Sequence, residues 1–157
     1  MIGFFANVLL ALAWTILSGN FSVLNMILGF GLGYVTLSIL QPAVPSLSGY
    51  AQRVPRFLLF IVYFIKELIK ANFKVAFDVL TPPWHMEPGV IAIPLEAKTD
   101  LEITLVANFI SLTPGTLSLD VSNDRRVLFI HAMFLQDEKS LRNDLFEIER
   151  RILLIMR

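Results

Sequence analysis

Three side chains late in the chain are of the types that form a hydrolytic triad, namely Ser118, Asp120 and His131. The serine of a triad needs a histidine base in contact, and the histidine needs a carboxylate to orient it. The surrounding residues predict two strands joined by a hairpin, in which His131 lies opposite Leu117. Ser118 and Asp120 would then point to the other face of the sheet. The spacing therefore favours a structural histidine.

Metal, phosphate and nucleic-acid chemistry find little support in the sequence. The only histidines, His85 and His131, match no common zinc-ligand spacing, and the chain has no cysteine. The glycine-rich stretch GFGLGY lies in an apolar run with no strand before it, unlike a nucleotide-binding loop. The 13 basic and 13 acidic residues cancel, which gives a nucleic acid no electrostatic attraction. We therefore expect no catalytic residue, no metal and no cofactor.

The first third of the chain belongs to an apolar environment. Residues 1–52 contain no Lys, Arg, Asp or Glu, and Ser18-Gly19-Asn20 separates two apolar runs. A spanning helix needs about 20 such residues, with a range down to about 17, and both runs qualify, the first only just. We predict a transmembrane helical hairpin over 1–41 and a linker over 42–55. Gly29 and Gly33 form a GxxxG pattern that permits close helix packing, against the first helix or a partner subunit.

Residues 56–81 predict an amphipathic helix. Lys66, Lys70 and Lys74 fall on one stripe of this helix, and apolar residues cover much of the rest. Such a helix lies in the membrane interface with its lysines at the level of the lipid headgroups. A third membrane-spanning helix is the alternative. The excess of basic residues directly after the hairpin places this side of the membrane in the cytoplasm.

Residues 82–157 predict a small cytoplasmic domain with the element order β-α-β-β-α. Thr99 and Glu102 form a capping box at the start of its first helix. TLSLDV alternates, which predicts a strand that buries Leu117, Leu119 and Val121, and VLFIHAMF is apolar on both faces, as in a central strand. We expect the first two strands to be parallel through a right-handed crossover and the third to pair antiparallel with the second. This is a truncated ferredoxin-like domain.

The stretch Thr113-Pro114-Gly115-Thr116 joins the first helix of this domain to a strand. Proline presets φ near −65° and glycine accepts positive φ, so the pair predicts a type II turn. A phosphate-binding loop would precede a helix, whereas this stretch follows one. The turn is therefore expected to be a helix-to-strand corner.

Three motifs give the chain a family resemblance: ANFISLTPGTLSLDV, LFIHAMF and, upstream, KELIKANFKVAFDVL. With the N-terminal hairpin they resemble the E subunit of the multisubunit Mrp-type Na⁺/H⁺ antiporters of bacteria and archaea. The resemblance implies an integral subunit of a monovalent cation (Na⁺)/proton antiporter in the cytoplasmic membrane. Antiport in that family is attributed to the large subunits, and the E subunit is needed for assembly or full function. Its implied partners are other integral subunits and membrane lipid, with a dimer of complexes left open.

The resemblance and the residues agree on an accessory role. The two predicted spans contain no ionisable residue, so the chain is not expected to carry ions itself. Its notable positions are expected to serve structure and assembly: Thr113, Pro114, Gly115, Thr116, His131, Gly29 and Gly33. Two alternatives stay open, namely a membrane-tethered enzyme that uses His131 with Ser118 or Thr116, and a ligand-binding module.

Overall fold

The computed structural model describes residues 2–82 and 86–157 and divides into two units, Met1–Pro55 and Arg56–Arg157. The elements in chain order are α1 (Ile2–Ser18), α2 (Val23–Leu40), a short 3₁₀ helix (Pro45–Leu47), α3 (Tyr50–Leu80), β1 (Gly89–Pro94), α4 (Asp100–Leu112), β2 (Thr116–Val121), β3 (Val127–Ala132) and α5 (Glu138–Met156). Helix α3 begins in the first unit and ends in the second.

The first unit is a hairpin of α1 and α2. Its turn is fixed by Asn25, whose side chain accepts from Trp14 Nε1 at 3.0 Å and donates to the Ser18 hydroxyl and the Asn20 carbonyl, both at 2.7 Å. The hydroxyl of Ser22 caps α2 by accepting from the backbone of Asn25. These polar side chains satisfy the turn backbone, which lets two apolar helices reverse direction over a few residues.

The outer surface of the hairpin is apolar. Large exposed side chains cover both helices, among them Phe5, Leu9, Leu17, Leu24 and Ile39. Among the helices of residues 2–82 and 86–157, α2 is long and apolar enough to cross a membrane, with 18 residues and a mean hydropathy of 1.9. Helix α1 has 17 residues and falls just below that length. Such a surface suits a lipid or protein environment rather than water.

Helix α3 begins at Tyr50, six residues earlier than predicted, and continues through Pro55. A proline inside a helix leaves the carbonyl four residues earlier without its donor, here that of Ala51. The Tyr34 hydroxyl donates to this carbonyl at 2.9 Å. On the other side of the same residue, the Ala51 N–H donates to the Gln41 side chain at 3.1 Å. The Tyr34 hydroxyl therefore replaces the donor that the proline lacks, and the Gln41 side chain accepts from an N–H in the first turn of α3, which has no acceptor within the helix.

Replacing Tyr34 by phenylalanine is expected to destabilise the hairpin unit by about 1–2 kcal/mol, because the Ala51 carbonyl loses its donor. In a Pro55→Ala background the alanine N–H supplies that donor, and the same substitution is expected to cost much less. Thermal unfolding of the four chains in detergent measures this double-mutant cycle. Equal costs in both backgrounds would show that the hydroxyl does not compensate for the proline.

The second unit contains a three-stranded sheet in the order β1-β3-β2. Both outer strands pair antiparallel with β3, with Ile91 opposite Ile130 and Leu117 opposite His131. The prediction of β3 as the central strand, antiparallel to β2, is confirmed. Strands β1 and β2 share a direction, as expected, but β3 lies between them.

The core of the second unit lies between one face of the sheet and its helices. Ile91, Leu128 and Ile130 of the sheet pack with residues of α4 and α5 in one buried cluster. Phe60 and Phe64 of α3 join the same cluster, and each packs edge-on against Phe109 of α4 with ring centroids 4.9 Å apart. Helices α3, α4 and α5 therefore all lie on one face of the sheet.

Helix α4 is held at its start by the predicted capping box. Thr99 accepts from the Glu102 N–H, and the Glu102 carboxylate accepts from the N–H groups of Lys98 and Thr99. Arg157 Nε also donates to this carboxylate at 3.0 Å. The Arg157 guanidinium and the two N–H donors lower the pKa of Glu102 to about 2. The last residue of the chain is thereby fixed to the first turn of α4.

Strand β2 departs from the predicted alternation. A bulge between Ser118 and Asp120 brings Asp120 opposite Phe129. Leu117 and Leu119, which we predicted to be buried, are each 50% exposed, while Ser118 faces α4. The prediction was wrong for these two leucines, whereas Val121, after the bulge, is partly buried against the core. The core of this sheet is supplied instead by β1 and β3.

Candidate functional site

The corner between α4 and β2 has the predicted type II geometry. Gly115 has a φ of +90°, and the Thr116 N–H donates to the Thr113 carbonyl at 3.2 Å. The Thr116 hydroxyl donates to the Ile110 and Thr113 carbonyls, and that of Thr113 donates to Phe109. These bonds satisfy the carbonyls left open at the end of α4. Every polar residue of this motif is therefore used to build the corner.

The corner lines a cavity of about 200 Å³ between α3 and α5. The Gly115 carbonyl accepts from the Met133 N–H at 2.9 Å, which attaches the turn to the end of β3. A side chain at Gly115 would lie 3.5 Å from the Phe134 ring and 3.9 Å from Val75 of α3. The corner therefore lies beside α3, the helix that carries the predicted lysine stripe.

Two of the three predicted interfacial lysines contact acidic or aromatic groups of this unit. Lys70 Nζ lies 3.2 Å from Glu67 Oε2 and 3.8 Å from Asp144 Oδ2 of α5. Lys74 Nζ lies 4.5 Å from the centre of the Phe134 ring, and Lys66 is exposed. Burial raises the pKa of Asp144, and the nearby Lys70 opposes that shift. Lys70 and Lys74 thus border the cavity beside the corner.

The outer side of α3 carries a second, apolar stripe. Its members are exposed side chains at helical spacing: Leu58, Val62, Ile65, Ile69, Phe73, Phe77 and Leu80. The opposite side holds the buried Phe60 and Phe64. Helix α3 therefore has one apolar face in the core of the second unit and another that no described residue covers.

The structure does not bring a triad together. His131 is opposite Leu117, as predicted, whereas the bulge turns Asp120 to the same face as His131, contrary to our prediction. The Asp120 carboxylate accepts from the Val121 N–H, and the Ser118 hydroxyl donates to the Ala107 carbonyl at 2.9 Å. The Ser118 hydroxyl is engaged with α4, on the opposite side of the sheet from His131. Neither this serine nor Thr116 is arranged as a nucleophile for His131.

No metal site is found among residues 2–82 and 86–157, where no three His, Cys, Asp or Glu side chains could hold a metal ion together. His85 lies outside the described residues. The charged hairpin tip is also paired within the chain, since Arg125 contacts Asp100 at the start of α4 at 2.6 Å.

In the first unit, Gly29 and Gly33 lie against α1. A Cβ on Gly29 would be 3.1 Å from the Ala11 carbonyl oxygen. A Cβ on Gly33 would collide with Asn7 Oδ1 and lie 3.2 Å from Leu10 Cβ. Asn7 is completely buried, and its Nδ2 donates to the Tyr50 hydroxyl at 2.6 Å. The two glycines thus let α1 and α2 approach closely around a buried polar side chain.

Sequence reasoning missed two features. The first is Glu149, a buried residue whose carboxylate accepts from the Glu96 and Ala97 N–H groups at 2.8 and 2.9 Å and fixes the loop after β1. A glutamate on the apolar side of α5 is a signal that could have indicated a buried acceptor. The second is the exposed apolar face of the sheet. The signal for this face was that β2 and β3 carry more apolar side chains than one helix-covered face of a sheet can bury.

Comparison with known families identifies the group to which these features belong. The family described as Na⁺/H⁺ ion antiporter subunit matches residues 7–155. The chain belongs to this family. Its relative in Alkalihalophilus pseudofirmus, which is named as the E subunit of a Na⁺/H⁺ antiporter, is 33% identical over 148 residues, which cover 94% of this chain and 93% of the relative. The resemblance of the TPGTLS and LFIHAMF motifs to the E subunit is thus confirmed.

Two solved structures share the fold of this family member. A chain in the structure of the Mrp complex from Dietzia sp. is 27% identical, with a TM-score of 0.50, and the match covers 65% of this chain and 96% of that one. A chain of the membrane-bound sulfane sulfur reductase, an archaeal respiratory membrane complex, is 25% identical, with a TM-score of 0.51 and coverage of 89% and 96%. Both neighbours were solved as parts of larger complexes.

Proposed function

We propose that this chain is an accessory subunit of a multisubunit monovalent cation (Na⁺)/proton antiporter in the cell membrane. It supports assembly and activity of the complex and does not carry ions itself. The observation that carries this proposal is the family match over nearly the whole chain. Helices α1 and α2 contain no Lys, Arg, His, Asp or Glu, so they lack the groups with which membrane proteins move protons or coordinate cations at depth.

The proposal assigns each segment a place. The α1–α2 hairpin crosses the membrane twice, α3 from Arg56 onward lies in the cytoplasmic interface, and the remainder is a truncated ferredoxin-like domain in the cytoplasm. The charge-free first 52 residues and the excess of basic residues after them support this orientation. The exposed apolar stripe of α3, with Lys66 exposed beside it, supports an interfacial position.

A structural role also agrees with the two solved relatives. One belongs to a complex named Mrp and the other to a sulfane sulfur reductase, so chains of this fold occur with different chemistry. A chain that occurs in two complexes with different names and reactions is best explained as a scaffold. Within it, we assign assembly roles to the corner of Thr113, Pro114, Gly115 and Thr116, and to the close helix packing at Gly29 and Gly33.

Affinity purification of the tagged chain from native membranes in mild detergent tests the proposal. Mass spectrometry is expected to find large multi-span antiporter subunits in the same fraction. Deletion of the chain is expected to reduce Na⁺/H⁺ antiport in membrane vesicles and to lower the recovery of those subunits. A chain recovered alone, under conditions in which a known membrane complex of the same cells stays intact, would contradict the accessory role.

A further inference from the structure

The sheet of the second unit has one face that no described helix covers. Two cross-strand rows form it, Val90–His131–Leu117 and Ala92–Phe129–Asp120, and Leu119 of the bulge adds to it. We call these residues the open sheet face. Val90 is 58% exposed, Leu117 and Leu119 are 50% exposed, and Phe129 is 37% exposed, against 1% or less for Leu128 and Ile130 on the helix-covered face.

Folding of the single chain does not account for so apolar a face. Sheets with one solvated face normally alternate apolar and polar side chains, with the polar ones outward. Here Asp120 is the one charged side chain in the two rows, and His131 is the one other polar group. Contiguous exposed apolar surface of this kind marks an interaction site.

Lipid is an unsuitable occupant for the open sheet face. Helices α3, α4 and α5 lie on the opposite side of the sheet, and Phe60 and Phe64 fix the inner side of α3 against the shared core. The apolar stripe of α3 therefore faces away from the open sheet face. With α3 in the membrane interface, as proposed above, the open sheet face points into the aqueous compartment.

A second copy of this chain is also unsuitable. Two open sheet faces packed on each other would bring together two Asp120 carboxylates, and the cross-strand rows contain no Lys or Arg to pair with them. Like charges across an interface are unfavourable. Strand addition at the β1 edge is opposed because Pro94 has no N–H and Arg142 donates to the Ala92 carbonyl at 2.8 Å. At the β2 edge, the Ser118 N–H already donates to the Ser111 hydroxyl at 3.0 Å.

We propose that the open sheet face binds another subunit of the membrane complex, through an apolar patch of that subunit that lies outside the bilayer and carries a basic side chain for Asp120. Leu117, Phe129 and Val90 form the centre of this contact, and Asp120 forms its charged rim. The inference rests on the accessory role proposed above, and it adds the surface and the chemistry of the partner.

Single-cysteine labelling tests this interface, because the natural chain contains no cysteine. The test variants are Leu117→Cys and Val90→Cys, and the controls are Lys139→Cys on α5 and Asn123→Cys at the hairpin tip, both exposed. A membrane-impermeant maleimide is applied to opened membranes that contain either the chain alone or the complete complex. In the complex, the two test cysteines are expected to react about tenfold more slowly than in the chain alone, since water is excluded from the centre of an interface. The control cysteines are expected to react equally in both samples.

Each other outcome overturns the inference in a distinguishable way. Slow labelling of Leu117→Cys in the chain alone would mean that lipid covers the face, and disulfide-linked pairs of that variant would mean that a second copy does. Equal labelling in both samples, with the other subunits still co-purifying, would overturn the inference and leave the accessory role intact. Absence of co-purifying subunits would overturn both.

A charge reversal supplies a second, independent readout. Asp120→Lys is expected to reduce the recovery of the other subunits severalfold, because it places a cation opposite the basic group of the partner. Asn123→Lys also introduces a lysine three residues away, although it changes the net charge by one unit rather than two, and we expect no loss. The chain alone should accumulate normally in both variants. Equal recovery of partner subunits with both variants would contradict the charged rim.

Discussion

Replacing Gly33 by alanine is expected to destabilise the α1–α2 hairpin by about 1–3 kcal/mol and to lower the amount of the chain in membranes severalfold. The added methyl group would collide with Asn7 Oδ1, a buried group held in place by the Tyr50 hydroxyl. The carboxamide cannot move away without breaking that hydrogen bond inside an apolar hairpin, where the lost bond has no water to replace it. Thermal unfolding in detergent and quantitative blotting of membranes measure the two effects.

The same helix provides a matched control at Gly31. No atom lies within 4 Å of the position that a Cβ would take on that residue, so Gly31→Ala should leave the stability of the isolated chain unchanged. Asn7→Ala removes the group with which the new methyl group collides. In that background, Gly33→Ala should therefore cost less stability than it does in the natural chain. If the two glycine variants had equal stability, close packing at Gly33 would not be what holds the helices together.

Replacing Gly115 by valine is expected to cost about 1–3 kcal/mol and to prevent most of the chain from assembling with other subunits. A β-branched residue is strained at the φ of +90° that Gly115 adopts. A Cβ at this position would lie at an ordinary van der Waals distance from Phe134, so the backbone is the source of the cost. The strain would pull apart the corner that joins α4, β2 and the end of β3. Recovery of partner subunits with the tagged variant, and antiport in vesicles, are the measurements.

Gly115→Asn separates backbone strain from added volume. Asparagine tolerates positive φ better than valine, so this variant should retain clearly more assembly although it also adds a side chain. Normal assembly and antiport with valine at this position would show that the corner is dispensable. A defect of equal size in both variants would assign the effect to the added side chain rather than to φ.

The sequence predicts those features of the fold that are decided within a few residues. The Thr99–Glu102 capping box and the Pro114-Gly115 turn depend on side chains that bond to their own neighbourhood, and the structure confirms both. The pairing of Leu117 with His131 follows from the position of the hairpin turn, and it too is confirmed. In these places, local chemistry leaves one favourable conformation.

Features that depend on distant residues could not be predicted in this way. Pro55 was taken as the end of a linker, and the structure has it inside α3 because the hydroxyl of Tyr34, in another helix, donates to the exposed carbonyl. The apolar side chains of β2 were assigned to the core because alternation alone cannot distinguish the core of the chain from a surface for another protein. The bulge after Ser118 then changed which face Asp120 occupies.

The protected edge of β1 has a consequence for the chain before it assembles. Under the proposed accessory role, a chain that is made before its partner subunits remains unassembled until they are present. An uncovered strand edge in a waiting chain is a template for polymerisation. Pro94 and the Arg142–Ala92 hydrogen bond remove hydrogen-bonding groups from that edge. The β1 edge of an unassembled chain is therefore a poor template for the addition of a strand from another chain.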